Sequence, residues 1–307
     1  MRVVASLTTM PDKYSKIITT LKSLNSQTHK LDAIYLGLPQ KSRRLGLEYP
    51  PLPKEAEELC TVVKVTDYGP ITKLLGGLLK EQDPSTVIIT FDDDMYYPPT
   101  MVEKLVQRHK EYPDSAIGSS GMLFGRDCPF CAITPNETDF LFRFPKFYIP
   151  KEGRRVDSVF GYAGALYVRK FFPSVQNLQK DLLSYSLVTK DTLMNDDITI
   201  SGYLSKKGIE RRIFDWMPGI SYIANEQGSF KRLSTEISHN GDDFFRGIKS
   251  AIQTCKSFGM YQTTEQIWTS ETIAVSGLLL FLGLILFLLG IWYLIQVQEL
   301  EVILPWS

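Results

Sequence analysis

The first 111 residues alternate short apolar runs with amphipathic stretches, and this alternation restricts the possible folds more than any other feature of the chain. Four apolar runs flanked by turn residues are predicted strands: residues 2–6, 33–38, 61–65 and 86–91. Three stretches have helical spacing: residues 13–26, 71–80 and 101–111. Strands that alternate with helices predict an α/β fold with a mostly parallel central sheet flanked by helices.

The chain is less regular beyond residue 118. Residues 119–158 are rich in Gly, Pro and aromatic residues and lack clear periodicity, which is typical of a binding loop in a compact domain. Regular patterns return as strands and helices at residues 165–168, 196–206, 211–214 and 242–258. We therefore predict one large domain over residues 1–240 and a helical segment over 241–272.

Residues 273–295 form an apolar run without a single charged side chain. A helix of that length reaches roughly 34 Å, enough to cross a hydrocarbon core of about 30 Å, so we predict a transmembrane helix there and a short tail over 296–307. Arg246, Lys249 and Lys256 precede the run, and no Lys or Arg follows it. This charge bias predicts a single-pass membrane protein whose large domain lies in the cytosol.

Acidic and basic residues balance over the whole chain, with 34 of each. A general binder of polyanions carries an excess of positive charge, which this chain lacks. We therefore expect no nucleic acid partner.

Three adjacent carboxylates, Asp92, Asp93 and Asp94, end the fourth predicted strand. Ligands of open α/β sheets bind beyond the carboxyl ends of the strands, and a cation would relieve the repulsion between neighbouring carboxylates. Hard oxygen ligands favour Mg²⁺ or Mn²⁺. Because alternate residues of an extended chain point the same way, Asp92 and Asp94 can face one metal ion while Asp93 turns aside. The simpler alternative is a solvated acidic turn that caps the helix after it.

The segment 91–94, Phe-Asp-Asp-Asp after a hydrophobic strand, resembles the DXD motif of nucleotide-sugar-dependent glycosyltransferases with the GT-A fold. Residues 5–11 and 23–28 resemble the first β-α unit of that superfamily, and the resemblance spans roughly residues 1–215. Within that superfamily, the sequence most resembles small bacterial and large-DNA-virus glycosyltransferases. It implies a Mn²⁺ or Mg²⁺ ion held by Asp92 and Asp94 with Asp93 beside them, and a nucleotide-sugar donor whose base and ribose lie against the first-strand loop at Thr8.

The resemblance implies four further residues at the donor site. Asp67 would contact the nucleotide, and Lys73, on the next predicted helix, would approach the diphosphate. A cation there offsets phosphate charge, although a plain turn followed by a solvated lysine is the alternative. Gly161 and Gly164 would border the sugar pocket, because small residues let a polar ligand approach the backbone, or they would simply form a turn into the next strand.

Asp196 and Asp197 open the helix predicted at residues 196–206. In inverting transferases of this fold, a carboxylate at such a helix start is the general base that deprotonates the acceptor hydroxyl. The same residues are also good helix-capping acids, and the sequence does not separate the two, although Asp197 fits the motif slightly better.

The chain has three histidines, His29, His109 and His239. His29 and His109 lie near predicted helix ends and are expected at the surface. In some relatives a histidine from the C-terminal part is a metal ligand, so His239 is a candidate for that role, with an ordinary loop histidine as the alternative.

These features together predict a membrane-anchored, metal-dependent glycosyltransferase. It would move a sugar from a nucleotide sugar, expected to be a UDP-sugar, to a hydroxyl of a glycan, glycolipid or glycoprotein acceptor, with inversion. A nucleotidyltransferase of related fold is the rival enzyme. A catalytically silent binding module at a membrane is the rival from another class, although gathered carboxylates are costly without a ligand.

Overall fold

The computed structural model describes residues 1–124, 131–133, 153–214, 221–222 and 241–261. Residues 1–262 form one compact unit, and its main hydrophobic core is built from both strands and helices of this unit. His239 and the predicted membrane segment 273–295 lie outside the described residues. Within the described part, no helix is long and apolar enough to cross a membrane.

An eight-stranded sheet forms the centre of the unit, in the order β3-β2-β1-β4-β11-β6-β12-β9. Its strands are β1 (Val3–Thr8), β2 (Ala33–Pro39), β3 (Thr61–Val65), β4 (Val87–Thr90), β6 (Ser115–Gly118), β9 (Arg154–Arg155), β11 (Ala165–Val168) and β12 (Glu210–Ile213). Five short strands form two small sheets: β5 (Met95–Tyr96), β7 (Gly121–Leu123), β8 (Cys131–Ile133), β10 (Ser158–Val159) and β13 (Ser221–Tyr222).

Helices flank the central sheet. They are α1 (Tyr14–Asn25), α2 (Lys54–Leu59), α3 (Thr72–Lys80), α4 (Met101–Glu111), α5 (Val175–Lys180), α6 (Leu182–Ser186), α7 (Lys190–Met194), α8 (Asp196–Lys206) and α9 (Gly241–Ser257). Helix α9 packs on α7 and α8, and the hydroxyl of Tyr261 donates a hydrogen bond to the carbonyl of Ile198 in α8. A helix is thus present close to the predicted bounds 242–258, and it belongs to the compact unit that also contains the strands of the central sheet.

The predicted α/β fold with a large, mostly parallel sheet flanked by helices is confirmed. Strands β3, β2, β1 and β4 run parallel, as do β6 and β12, whereas β11 runs antiparallel to both of its neighbours. The prediction that His109 is a surface residue is wrong, because it is buried on α4 beside Val102, Leu105 and Val106. Burial lowers the pKa of its imidazole, which favours the neutral form inside the core.

The sheet brings the predicted site residues to a single edge. Ser6 of β1 lies opposite Thr90 of β4, and Ala165 of β11 also pairs with Thr90, so the ends of β1 and β4 and the start of β11 meet there. From β1 the chain continues to β2 on one side of the strand, whereas β4 lies on the other side of β1. Where the strand order reverses in this way, a crevice opens at the carboxyl ends of the strands. Asp92 lies two residues after the end of β4, at this crevice.

Helix α3 lies unusually close to the sheet because two glycines face it. A side chain on Gly77 would place its Cβ 2.9 Å from Ile88 Cγ2, and one on Gly76 would meet Ser6 Oγ at 3.2 Å. Ser6 Oγ donates to the carbonyl of Lys73 at 2.5 Å and accepts from the amide of Gly77 at 2.8 Å, so it bridges two groups that a helix normally pairs directly. Lys73 lies one turn before the glycines, on the face of α3 that meets the sheet.

Glu81→Gln should lower the free energy of unfolding at neutral pH by about 1–2 kcal/mol, because the Glu81 carboxylate accepts hydrogen bonds from Arg2 and Tyr35. Burial alone would raise the pKa of Glu81, but these hydrogen bonds outweigh it and hold the pKa below the ordinary 4.5. The stabilisation is therefore full above pH 4.5 and lost as the pH falls through the lowered pKa. Urea unfolding from pH 7 to pH 3 should show the two proteins converging in acid, and a constant difference would contradict this account.

Candidate functional site

Lys73 is the centre of a buried ionic cluster at the carboxyl edge of the sheet. Its ammonium group lies 2.7 Å from Asp92 Oδ1 and 3.0 Å from Asp196 Oδ2, and its side chain is only 6% exposed. Burial alone would lower its pKa, but the charges of Asp196, Asp92 and Asp197 outweigh it and hold the pKa well above the ordinary value. Lys73 is therefore a permanent cation, and the alternative of a solvated helix lysine is wrong.

Asp196 and Asp197 start α8 and have different surroundings. Asp196 is buried, and its Oδ2 faces Lys73 without completing a hydrogen bond in the described part of the chain. Asp197 is half-buried, its Oδ1 accepts the amide hydrogen of Gly161 at 2.9 Å, and its carbonyl accepts the hydroxyl of Ser158. Burial and the charge of Asp196 raise the pKa of Asp197 well above its ordinary value, against the opposing effect of Lys73. Asp197 is the more accessible carboxylate and the one better placed to take up a proton.

Asp93 and Asp94 share a second lysine. Lys13 Nζ lies 3.2 Å from Asp93 Oδ1 and 3.1 Å from Asp94 Oδ2, while Thr9 Oγ1 donates to Asp93 Oδ2 at 2.7 Å. Asp93 therefore points into the protein. The side chains of Asp92 and Asp94 are 32% and 23% exposed. The two acids predicted to hold a metal are thus the accessible ones, although each contacts a different lysine.

Tyr97 connects the acidic turn with the glycine segment across the crevice. Its hydroxyl accepts from the amide of Asp92 at 2.9 Å and donates to the carbonyl of Tyr162 at 3.1 Å. The tyrosine is fully buried, and its ring meets Phe91 edge to face with centroids 4.7 Å apart. These contacts fix Asp92 relative to Gly161, although the two are distant in sequence.

Three other predicted residues lie at the same edge but outside these ion pairs. Thr8 Oγ1 donates to the carbonyl of Gly37, and Asp67 accepts from the amides of Arg43 and Gly69. Gly164 has a φ of +75° and packs against Phe91 and Met101. A cleft of about 920 Å³ runs beside β3, and its walls include Pro39, Tyr49, Pro50, Thr66 and Tyr68, the last two flanking Asp67.

The donor set fits a divalent metal that is shared with a ligand. The two ion-paired clusters gather five carboxyl groups around two ammonium groups. Burial and mutual repulsion raise the pKa of Asp94, Asp196 and Asp197, and a bound cation would relieve that repulsion. No group of three metal-ligating side chains is gathered around one point in the described residues. Mg²⁺ commonly uses only one or two carboxylates and completes its shell with phosphate oxygens and water, which Asp92 and Asp94 can accommodate.

No protein-family model matches this chain, and no curated protein matches it in sequence. The edge of the sheet combines a buried cation, two accessible carboxylates and a half-buried carboxylate with a raised pKa. Such a combination suits a phosphate-bearing ligand and a proton transfer.

Ser6, Lys13 and Tyr97 are site residues that sequence reasoning missed. Ser6 is a polar residue in the middle of an otherwise apolar strand, and that signal could have marked it. Lys13 and Tyr97 carry no comparable local signal, because each acts through partners brought near by the fold.

Gly161→Ala should lower the rate of the proposed sugar transfer roughly 10- to 100-fold and lower the stability less than the loss of Lys73 does. The new Cβ would lie 2.8 Å from Lys73 Nζ and 3.0 Å from Asp197 Oδ1, and both flexible groups would have to move. Steady-state rates and thermal unfolding of the variant check this. Gly247→Ala on α9, where the nearest neighbour would be Asp191 Oδ1 at 3.3 Å, is the matched control, and equal rates in the two variants would refute the prediction.

Proposed function

We propose that residues 1–240 form a GT-A-like glycosyltransferase domain that uses a nucleotide sugar, with a UDP-sugar as the favoured donor. The ionic cluster around Lys73 carries this proposal. It joins an acid of the strand-end triplet, Asp92, to an acid of the helix start, Asp196, at the switch in strand order where ligands of open α/β sheets bind.

The donor diphosphate would lie beside Lys73, with a Mn²⁺ or Mg²⁺ ion held by Asp92 and Asp94. When bound, the metal supplies charge neutralisation to the leaving diphosphate. Lys13 and Lys73 offset the repulsion between the carboxylates at this edge. Thr8 and Asp67 would lie beside the nucleoside of the donor. Because Gly161 has no side chain, Lys73 and Asp197 can both approach its backbone, and this places the cation and the proposed base side by side.

Asp197 is the proposed general base. It is more exposed than Asp196, and Lys73 already neutralises Asp196. The carboxylate of Asp197 would take the proton of the acceptor hydroxyl as its oxygen attacks the anomeric carbon and the bond from that carbon to the diphosphate breaks. This is a single displacement with inversion.

The acceptor would be a glycan, glycolipid or glycoprotein at a membrane. Residues 273–295 are the proposed anchor, and the positive charges before them support a cytosolic location for the domain. From the sequence, His239 is still a candidate metal ligand in addition to Asp92 and Asp94.

A nucleotidyltransferase of related fold is the second candidate, since the accessible acids and Lys73 would equally suit a nucleoside triphosphate. It would release pyrophosphate, whereas the glycosyltransferase releases a nucleoside diphosphate. The products therefore separate the two enzymes.

The test is to incubate residues 1–262 with a panel of nucleotide sugars and, separately, nucleoside triphosphates, each with Mn²⁺ or Mg²⁺. Metal-dependent release of nucleotide from one sugar donor is expected. Asp94→Ala should abolish it, whereas Asp114→Ala, which removes an exposed acid paired with Lys170, should not. Pyrophosphate release would favour the nucleotidyltransferase. Ligand binding without turnover would favour the silent binding module.

A further inference from the structure

The ends of three helices meet on one side of the compact unit. The ring of Tyr185 in α6 stacks on Phe258, just after α9, with centroids 4.2 Å apart, and Lys206 Nζ of α8 lies 5.5 Å from the Tyr185 centroid. Helix α7 joins the group by packing on both α8 and α9. The exposed residues within 182–208 and 246–258, which belong to these packed helices, are here named the basic helical face.

The fully exposed charges of the basic helical face all have one sign. Its three acids, Asp191, Asp196 and Asp197, are buried or half-buried. Its exposed charged residues are six cations: Lys190, Lys206, Lys207, Arg246, Lys249 and Lys256. Since the whole chain has no net charge, this is a strong local bias.

Two apolar side chains project from the same face. Leu187 and Val188 directly follow α6, and they are 37% and 53% exposed. Exposed apolar residues together with exposed lysines are typical of a surface that lies on an anionic membrane, where the apolar groups enter the interface and the cations meet the headgroups.

The course of the chain argues for a membrane as the occupant. Helix α9 ends at Ser257 on this face, and the apolar run begins at residue 273. The eleven residues 262–272 span at most about 40 Å when fully extended, so a membrane crossed by residues 273–295 lies within that reach of Tyr261.

We propose that the basic helical face docks on the anionic headgroups of the membrane that residues 273–295 cross. The inference rests on the proposed membrane attachment and is independent of sugar transfer. Docking would hold α8, whose first turn carries Asp196 and Asp197, in a fixed orientation to the bilayer and so to acceptors at the membrane.

Flotation of residues 1–262 with lipid vesicles tests the proposal, because this unit lacks the apolar run. It should bind vesicles of phosphatidylcholine with about 30% phosphatidylserine, bind pure phosphatidylcholine poorly, and dissociate as salt is raised. A triple variant, Lys206→Gln with Lys249→Gln and Lys256→Gln, should lose about fivefold in binding per lysine. Leu187→Ser with Val188→Ser should weaken binding separately, by removing the inserted apolar groups.

The matched control removes three exposed lysines elsewhere: Lys30→Gln, Lys54→Gln and Lys110→Gln. Equal losses in both triple variants, or equal binding to neutral and anionic vesicles, would overturn the proposed face. Retention of the full chain in membranes washed with alkaline carbonate tests the anchor separately. Extraction of the full chain would refute the anchor, while charge-dependent binding by residues 1–262 would still support the face.

Discussion

Asp197→Asn is expected to lower the rate of sugar transfer by a factor of 10² to 10⁴ while leaving donor affinity nearly unchanged. Asparagine keeps the shape of the side chain and can still accept the Gly161 amide hydrogen through its oxygen, but it cannot take up the acceptor proton. The pKa of Asp197 is raised, so the pH at which the base becomes ionised should lie above that of an ordinary aspartate. The wild-type rate should therefore continue to rise with pH above the pKa of an ordinary aspartate. The measurements are kcat, KM for the donor and a pH-rate profile.

Asp196→Asn is the informative comparison. Asp196 is ion-paired with Lys73, so its loss should act mainly on donor binding and on stability. Because the charge of Asp196 helps to raise the pKa of Asp197, the variant should keep its pH dependence but show it at lower pH. If Asp196→Asn removed the pH dependence and Asp197→Asn did not, the roles assigned to the two acids would be reversed.

The strand and helix positions could be predicted because each depends on a local pattern. Residues 61–65, 101–111 and 165–168 have the bounds that the sequence predicts, since turn residues and apolar periodicity mark their ends. Strand direction was harder to predict. The pattern of residues 165–168 indicates a strand but contains no information about its antiparallel place between β4 and β6.

The same division applies to the candidate site. The triplet of acids after β4 stands out in the sequence because acids rarely follow a buried strand without a reason. The partners of these acids do not stand out: Lys13 lies before α1 and looks like any helix-start lysine, yet it reaches Asp93 and Asp94. His109 shows the opposite failure, because its spacing from Val102, Leu105 and Val106 on α4 marks the buried face and could have predicted its burial.

The burial of Lys73 also follows from a long-range feature. Ser6 and the two glycines of α3 let the helix approach the sheet, and only then does the first turn of α3 place an ammonium group between two acids from other elements. The residue pattern of the helix alone would predict that this lysine is exposed to solvent.

Lys73→Met should lower the free energy of unfolding by about 3–5 kcal/mol at neutral pH, the loss typical of removing one partner from a buried ion pair. Methionine fills similar space, so the effect comes from charge: Asp196 would be left buried and unpaired, with Asp92 and Asp197 close enough to repel it. Urea unfolding at pH 7 measures this loss, and the proposed diphosphate contact predicts that donor binding falls as well.

A double variant separates charge from packing. In Lys73→Met with Asp196→Asn, a neutral amide replaces the buried carboxylate that pairs with the lysine. Much of the lost stability should therefore return. Donor binding should not return, because the cation that would face the diphosphate is still absent. If the double variant were as unstable as the sum of the single variants, the ion pair would not be the source of the stability. If donor binding survived in Lys73→Met, the lysine would be a structural counterion for the acids and not a ligand of the phosphate.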